Sequence, residues 1–182
     1  MSRARSILIL ECLVAAIPLT SQEEPEIRLL FTGDILLSRQ VRREIELTGR
    51  SLWSGFADLF KNATWIAGNL EGAVGTAEQC ILTDSDSPCF DVPASLIPML
   101  SQAGFRAIGM ANNHSSDLGS AGRAATRRAL RNAGMEALSF EDSPLFATVG
   151  TRTIAIIAVS LVPGRDGSRI EIPSIALSLI HI

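Results

Sequence analysis

The sequence predicts an α/β fold, a layered and largely parallel sheet with flanking helices. Two observations carry that expectation. From residue 26 onward, short apolar runs alternate with stretches of helical periodicity. The 182 residues are 47% hydrophobic and 19% charged, enough to bury one core and to exclude a disordered or collagen-like chain.

The elements follow in order. Residues 27–32 alternate as a strand, which Gly33-Asp34 is expected to break. Residues 39–47 place Val41, Ile45 and Leu47 among arginines and glutamates at helical spacing, and residues 52–60 repeat the pattern with Leu52, Phe56, Leu59 and Phe60. A second strand covers 63–67 and ends in Gly68-Asn69-Leu70-Glu71-Gly72. Pro93 opens a helix that turns Leu96, Ile97 and Leu100 inward and stops at Ala103-Gly104. The third strand is 105–111, with Asn112-Asn113-His114 directly after it. Ser120 is expected to cap a helix running to Asn132, and Gly134 to end it. Two more strands are expected at 146–149 and 154–159.

The two ends read differently from this body. Arg3 and Arg5 precede a mostly apolar run over 6–19, interrupted by Glu11 and Pro18. Residues 1–21 are therefore read as an export signal or an N-terminal anchor, which places the chain outside the cytoplasm, in the periplasm or its equivalent. Cys80 and Cys89 stand in a polar segment, and in an oxidising compartment such a pair closes a loop as a disulfide. The domain proper is assigned to 26–162. Residues 163–182 form a Pro-Gly turn and an apolar tail without cap or polar finish, which reads as a C-terminal truncation.

Charge excludes one class of partner. Net charge is −3, aromatics are 5% of the chain and tyrosine is absent, so neither a basic surface nor stacking platforms are available for nucleic acid. There are two histidines, His114 and His181, so no site of three or four imidazoles can be built. What remains is a convergence of polar groups at strand ends. Asp34 follows the first strand, Asn69 and Glu71 the second, and Asn113 and His114 the third, the positions where open α/β sheets bind ligands. Oxygen donors with a nitrogen suit a divalent metal such as Mn, Mg, Zn or Fe. Each piece alone also has an ordinary reading, as turn chemistry, an exposed carboxylate or a satisfied loop histidine.

Several motifs resemble the capsule-synthesis CapA family. They are Phe31-Thr-Gly-Asp34, Gly68-Asn-Leu-Glu71-Gly72, Phe90-Asp-Val-Pro93, Leu100-x-x-Ala-Gly-Phe105, Thr126-x-x-x-Leu130 and Asn132-Ala-Gly134. The most specific is Ala111-Asn-Asn-His114-x-x-Asp117-x-Gly119. The resemblance implies a calcineurin-like metallophosphoesterase fold and a role in poly-γ-glutamate capsule formation. It gives Asp34, Glu71 and Asn113 as metal ligands and His114 as the catalytic group that contacts phosphate or acts as an acid. It further implies a phosphoester or an anionic envelope polymer as substrate or partner, and membrane capsule-synthesis subunits as further partners. The family's second half carries a Gly-His-x-His-type motif that nothing here matches, so the sequence is expected to hold only the N-terminal half to two-thirds of the domain. A non-enzymatic component that holds or exports polymer, or an inactive fragment, is the competing reading. Arg123, Arg127, Arg128 and Arg131 recur at helical spacing as either a solvated face or a polyanion contact, and Asp117 is read as capping or bracing the turn after His114.

Overall fold

The structure, a computed structural model, describes residues 26–82 and 88–165. Residues 1–21, the tail from 166 and His181 lie outside the described residues. The first strand, β1 (Leu29–Ile35), is followed by α1 (Arg39–Thr48), a 3-10 turn at Ser54–Phe56 and the short α2 (Ala57–Lys61). Then come β2 (Trp65–Leu70), the two-residue β3 (Ala73–Val74) and β4 (Asp91–Val92), and α3 (Pro98–Gln102). The rest is β5 (Phe105–Gly109), a 3-10 turn at Asn113–Ser116, α4 (Gly119–Asn132), β6 (Glu136–Leu138), β7 (Leu145–Val149) and β8 (Arg152–Ile156).

The α/β expectation holds. The central sheet has the order β1-β2-β5-β6 and every neighbouring pair is parallel. Its two faces are covered unequally. Ile66, Leu70, Phe105 and Ile108 pack with Ile45, Leu96, Ile97, Leu100 and Leu130 on the helical side. Trp65, Ala67 and Ala107 face the other way, against Val149 and the partly buried Ile154 and Ile156 of the β7–β8 hairpin. That hairpin is antiparallel and separate from the central sheet, so the last two expected strands exist but do not extend it.

The glycines after the first two strands do not break them. β1 continues through Gly33 and Asp34 with an irregular register between Phe31 and Asp34, and Asp34 pairs with Asn69 across to β2. Gly68 is a packing glycine rather than a turn glycine. A Cβ there would collide with Thr32 Oγ1, lie 2.6 Å from Ile35 Cδ1 and 2.9 Å from Phe105 Cε1. The consequence is functional, because Asp34 and Asn69 sit on rigid strand ends instead of on a loop. Ser120 is not the cap of α4. Gly119, at φ 65°, turns the chain out of the preceding 3-10 turn and the helix starts there, so Ser120 lies inside its first turn.

α4 is tied to the site region by one buried hydroxyl. Thr126 Oγ1 accepts from the Val74 backbone N–H at 2.7 Å and donates to the Gly122 carbonyl at 2.8 Å. Val74 belongs to β3, whose pairing with β4 uses the neighbouring amides of Ala73 and Gly75 instead. Thr126→Val keeps the shape and strands the Val74 N–H, so it is expected to cost about 1–3 kcal/mol. Thr126→Ser, which keeps the hydroxyl, should lose clearly less in the same urea titration.

Candidate active site

The ends of β1 and β2 bring two carboxylates to one amide. Asn69 Nδ2 donates to Asp34 Oδ1 at 2.7 Å and to Glu71 Oε2 at 3.0 Å. The amide is held by its other end, because Asn112 Nδ2 donates to Asn69 Oδ1 at 2.8 Å and to the Leu70 carbonyl at 2.9 Å. Asn112 also caps the turn that follows, its Oδ1 accepting from Ser115 N at 2.8 Å. One side chain thereby connects the end of β2 to the turn carrying His114. Gly72 lets the chain leave β2 at φ 150°, where a Cβ would stand 2.7 Å from the Phe90 carbonyl oxygen.

The electrostatics are those of a crowded acidic pair. Burial pushes the Glu71 carboxyl above its ordinary value, and the charge of Asp34 pushes it the same way. His114 and the hydrogen bond from Asn69 act in the opposite direction.

His114 is buried at the edge of this cluster, clamped on every side. Its Nδ1 is 2.8 Å from Asp117 Oδ2, and Asp117 is fully buried. The same Oδ2 accepts from Phe90 N at 2.7 Å, and the Phe90 ring stacks on the imidazole with centroids 4.1 Å apart. A carboxylate only accepts, so Nδ1 carries the proton and Nε2 is the nitrogen that faces the site. Nε2 lies 3.7 Å from Glu71 Oε1 and 3.3 Å from Arg165 Nη2. Asp117 therefore braces the turn and orients the imidazole, in keeping with the bracing role read from the sequence.

Asp34, Glu71 and His114 thus share one cleft, graded from exposed Asp34 through half-buried Glu71 to buried His114. Asn113 opens the His114 turn, but the amides wired into the carboxylate network are those of Asn69 and Asn112. Cys80 and Cys89 are joined as a disulfide with Cα atoms 6.4 Å apart. The linkage is tethered beneath the same turn, since Ile81 N donates to the Asp117 carbonyl at 3.0 Å and Cys89 Sγ lies 3.8 Å from that oxygen. The α4 arginines differ in their surroundings. Arg127 is held by both oxygens of Asp142 at 3.0 and 2.9 Å and by Ser139 Oγ at 3.1 Å, while Arg128 and Arg131 are exposed. Arg165 and the stacking role of Phe90 had no signal in the sequence beyond the Phe90-Asp-Val-Pro93 motif.

Could these residues hold a cation? Two carboxylate oxygens meet at one amide N–H₂ group, which fits a hard divalent ion in sign and in donor type. Among the described residues no group of three His, Cys, Asp or Glu is placed to hold a metal ion. Further donors would have to complete such a coordination shell. No described helix is long and apolar enough to cross a membrane.

The family model for the bacterial capsule synthesis protein PGA_cap matches residues 28–172. The chain belongs to this family. A relative, the capsule biosynthesis protein CapA of Bacillus anthracis, is 23% identical over 124 residues, covering 67% of this chain and 30% of that protein. The chain therefore spans less than a third of the length of that relative. Every residue of the Asp34–Asn69–Glu71–Asn112–His114–Asp117 network falls within the span matched by the PGA_cap family.

Proposed function

We propose that this chain carries one side of a metal-dependent phosphoesterase-type site, serving the assembly of an anionic envelope polymer such as poly-γ-glutamate outside the cytoplasm. The convergence of Asp34 and Glu71 on Asn69, with His114 Nε2 directed at the same cleft, carries this reading. Asp34 and Glu71 would hold a divalent ion (Mn, Mg, Zn or Fe), with the amide oxygen of Asn113 beside them. Such an ion supplies Lewis-acid activation of a phosphoryl group. The chain's own residues do the rest. Asn112 fixes the amide of Asn69, and Asn69 keeps two carboxylates in register. Asp117 holds the proton on His114 Nδ1, which leaves Nε2 to take up a proton and return it to a departing oxygen. The Phe90 ring covers the imidazole and shields it from water.

A second reading is a polymer-holding or export component without turnover. It is favoured by one observation, the two carboxylates found among the described residues where three or four strong ligands would make a closed shell. The purified chain and Asp34→Ala, titrated with Mn²⁺ and assayed on a generic phosphodiester, separate the two. Stoichiometric metal and turnover, both lost in Asp34→Ala, are the expected result. Absence of both from the unaltered chain would overturn the proposal and leave the non-enzymatic role.

A further inference from the structure

We infer that Arg165 is an anion-binding residue of this site, placed to seat a phosphoryl group against His114. The inference deepens the phosphoesterase reading and rests on it for the choice of ligand, but its geometry stands apart from any metal. Arg165 arrives from a loop 51 positions after His114 and is fastened there by its backbone, whose N–H donates to the oxygen of buried Ser116 at 3.0 Å. Its guanidinium then reaches two acceptors. Nη1 donates to the Pro88 carbonyl at 3.2 Å, and Nη2 approaches His114 Nε2 at 3.3 Å.

The charge of this guanidinium is only loosely matched. Among the described residues, the one carboxylate it pairs with is Asp117, whose Oδ1 stands 3.8 Å from Nε and makes no hydrogen bond. Asp117 already accepts two bonds on its other oxygen, from Phe90 N and from His114 Nδ1. An arginine that serves to neutralise a buried acid closes on it at 2.7–2.9 Å with two parallel bonds. Arg165 instead spends its terminal nitrogens on a neutral carbonyl and an imidazole nitrogen. Each of those nitrogens carries a second N–H with no protein acceptor among the described residues.

Placement supplies the ligand class. Nε2 of His114 has a carboxylate oxygen, Glu71 Oε1, at 3.7 Å and the guanidinium at 3.3 Å. The cleft therefore carries both signs of charge around His114 Nε2, acidic at Asp34 and Glu71 and cationic at Arg165. A tetrahedral oxyanion fits this arrangement. Its oxygens can take the fork of Arg165 while another points towards the acidic pair, where a cation would meet it. A carboxylate has the same sign of charge but only two oxygens, both taken by the fork, and none left for the second direction.

Inorganic phosphate is the direct probe. The two histidines of the chain make the imidazole resonances readable by NMR, with His114→Gln to assign them. In the full chain without added metal, phosphate is expected to shift the His114 resonances saturably. Arg165→Gln should weaken that binding by about tenfold to a hundredfold, and Arg165→Lys, which keeps the charge but not the fork, should fall between. Acetate should bind more weakly than phosphate and show little dependence on Arg165. Mn²⁺ affinity and Tm, measured on the same variants, report whether the acidic pair and the fold are intact. Phosphate affinity equal in the unaltered chain, Arg165→Lys and Arg165→Gln overturns the inference, as does no saturable binding in the unaltered chain. Neither result touches Mn²⁺ binding at Asp34 and Glu71, so the metal reading stands or falls on its own titration.

Discussion

Asp117→Ala is expected to lose about 3–5 kcal/mol of stability, the scale for removing one partner of a buried charged network. The carboxylate has no solvent exposure and two bonded donors, Phe90 N and His114 Nδ1. Alanine leaves both donors unpaired in a buried site and leaves Arg165 facing a void. The disulfide adds no substitute, because it anchors to the Asp117 carbonyl region and not to the side chain. Asp117→Asn is the informative companion. An amide oxygen can still accept from Phe90 N, so that variant should lose only about 1–3 kcal/mol. It cannot accept from both Phe90 N and His114 Nδ1 through one oxygen without turning its NH₂ to Asp117's Oδ1 position, towards the cationic Arg165. In that orientation the neutral amide holds the Nδ1 proton without a countercharge for the imidazole, and any turnover should fall by about 10²–10⁴. Chemical denaturation reads the first effect, and the His114 ring resonances read the second. Equal stability of the alanine variant and the unaltered chain would show that Asp117 is not the brace of this turn.

Part of this site was legible before the structure because strand ends announce themselves. Apolar runs ending at Asp34, at Asn69–Glu71 and at Asn113–His114 place those residues at one edge of a parallel sheet, and the β1-β2-β5 order makes them neighbours. The boundaries were less legible. Gly33 and Gly68 read as strand breakers, yet the strands continue, since a glycine needed for close packing leaves the same mark as a turn glycine. Strands of two or three residues, such as Ala73–Val74, Asp91–Val92 and Glu136–Leu138, are too short for a period of two to show. The hydrogen-bond wiring was not legible at all. Asn112 and Asn113 are chemically identical neighbours, and only the turn geometry decides which amide meets Asn69. Arg165 belongs to a Pro-Gly loop whose local sequence predicts a turn and says nothing of a partner 51 residues earlier.

Glu71→Gln should move stability and metal affinity in opposite directions. In the folded chain, burial and the Asp34 charge raise the Glu71 carboxyl above its ordinary value of 4.5. A raised carboxylate binds its proton more tightly folded than unfolded. Its contribution to stability is therefore fully present below the unfolded value and is lost as pH rises through the folded value. Below about pH 4.5 the unaltered chain and Glu71→Gln should be similarly stable. From there to neutrality the unaltered metal-free chain should fall behind, while glutamine keeps an oxygen to accept from Asn69 and removes the repulsion. A gain of up to about 1 kcal/mol at neutral pH corresponds to a few degrees in Tm for a domain of this size. Metal binding should respond the other way, because one of two anionic ligands is gone, and Mn²⁺ affinity is expected to drop about a hundredfold or more. A group kept for folding would show destabilisation on substitution, whereas a group kept for a ligand shows relief. If Glu71→Gln destabilises the metal-free chain at neutral pH and binds Mn²⁺ unchanged, Glu71 is a structural acid and the cation belongs elsewhere.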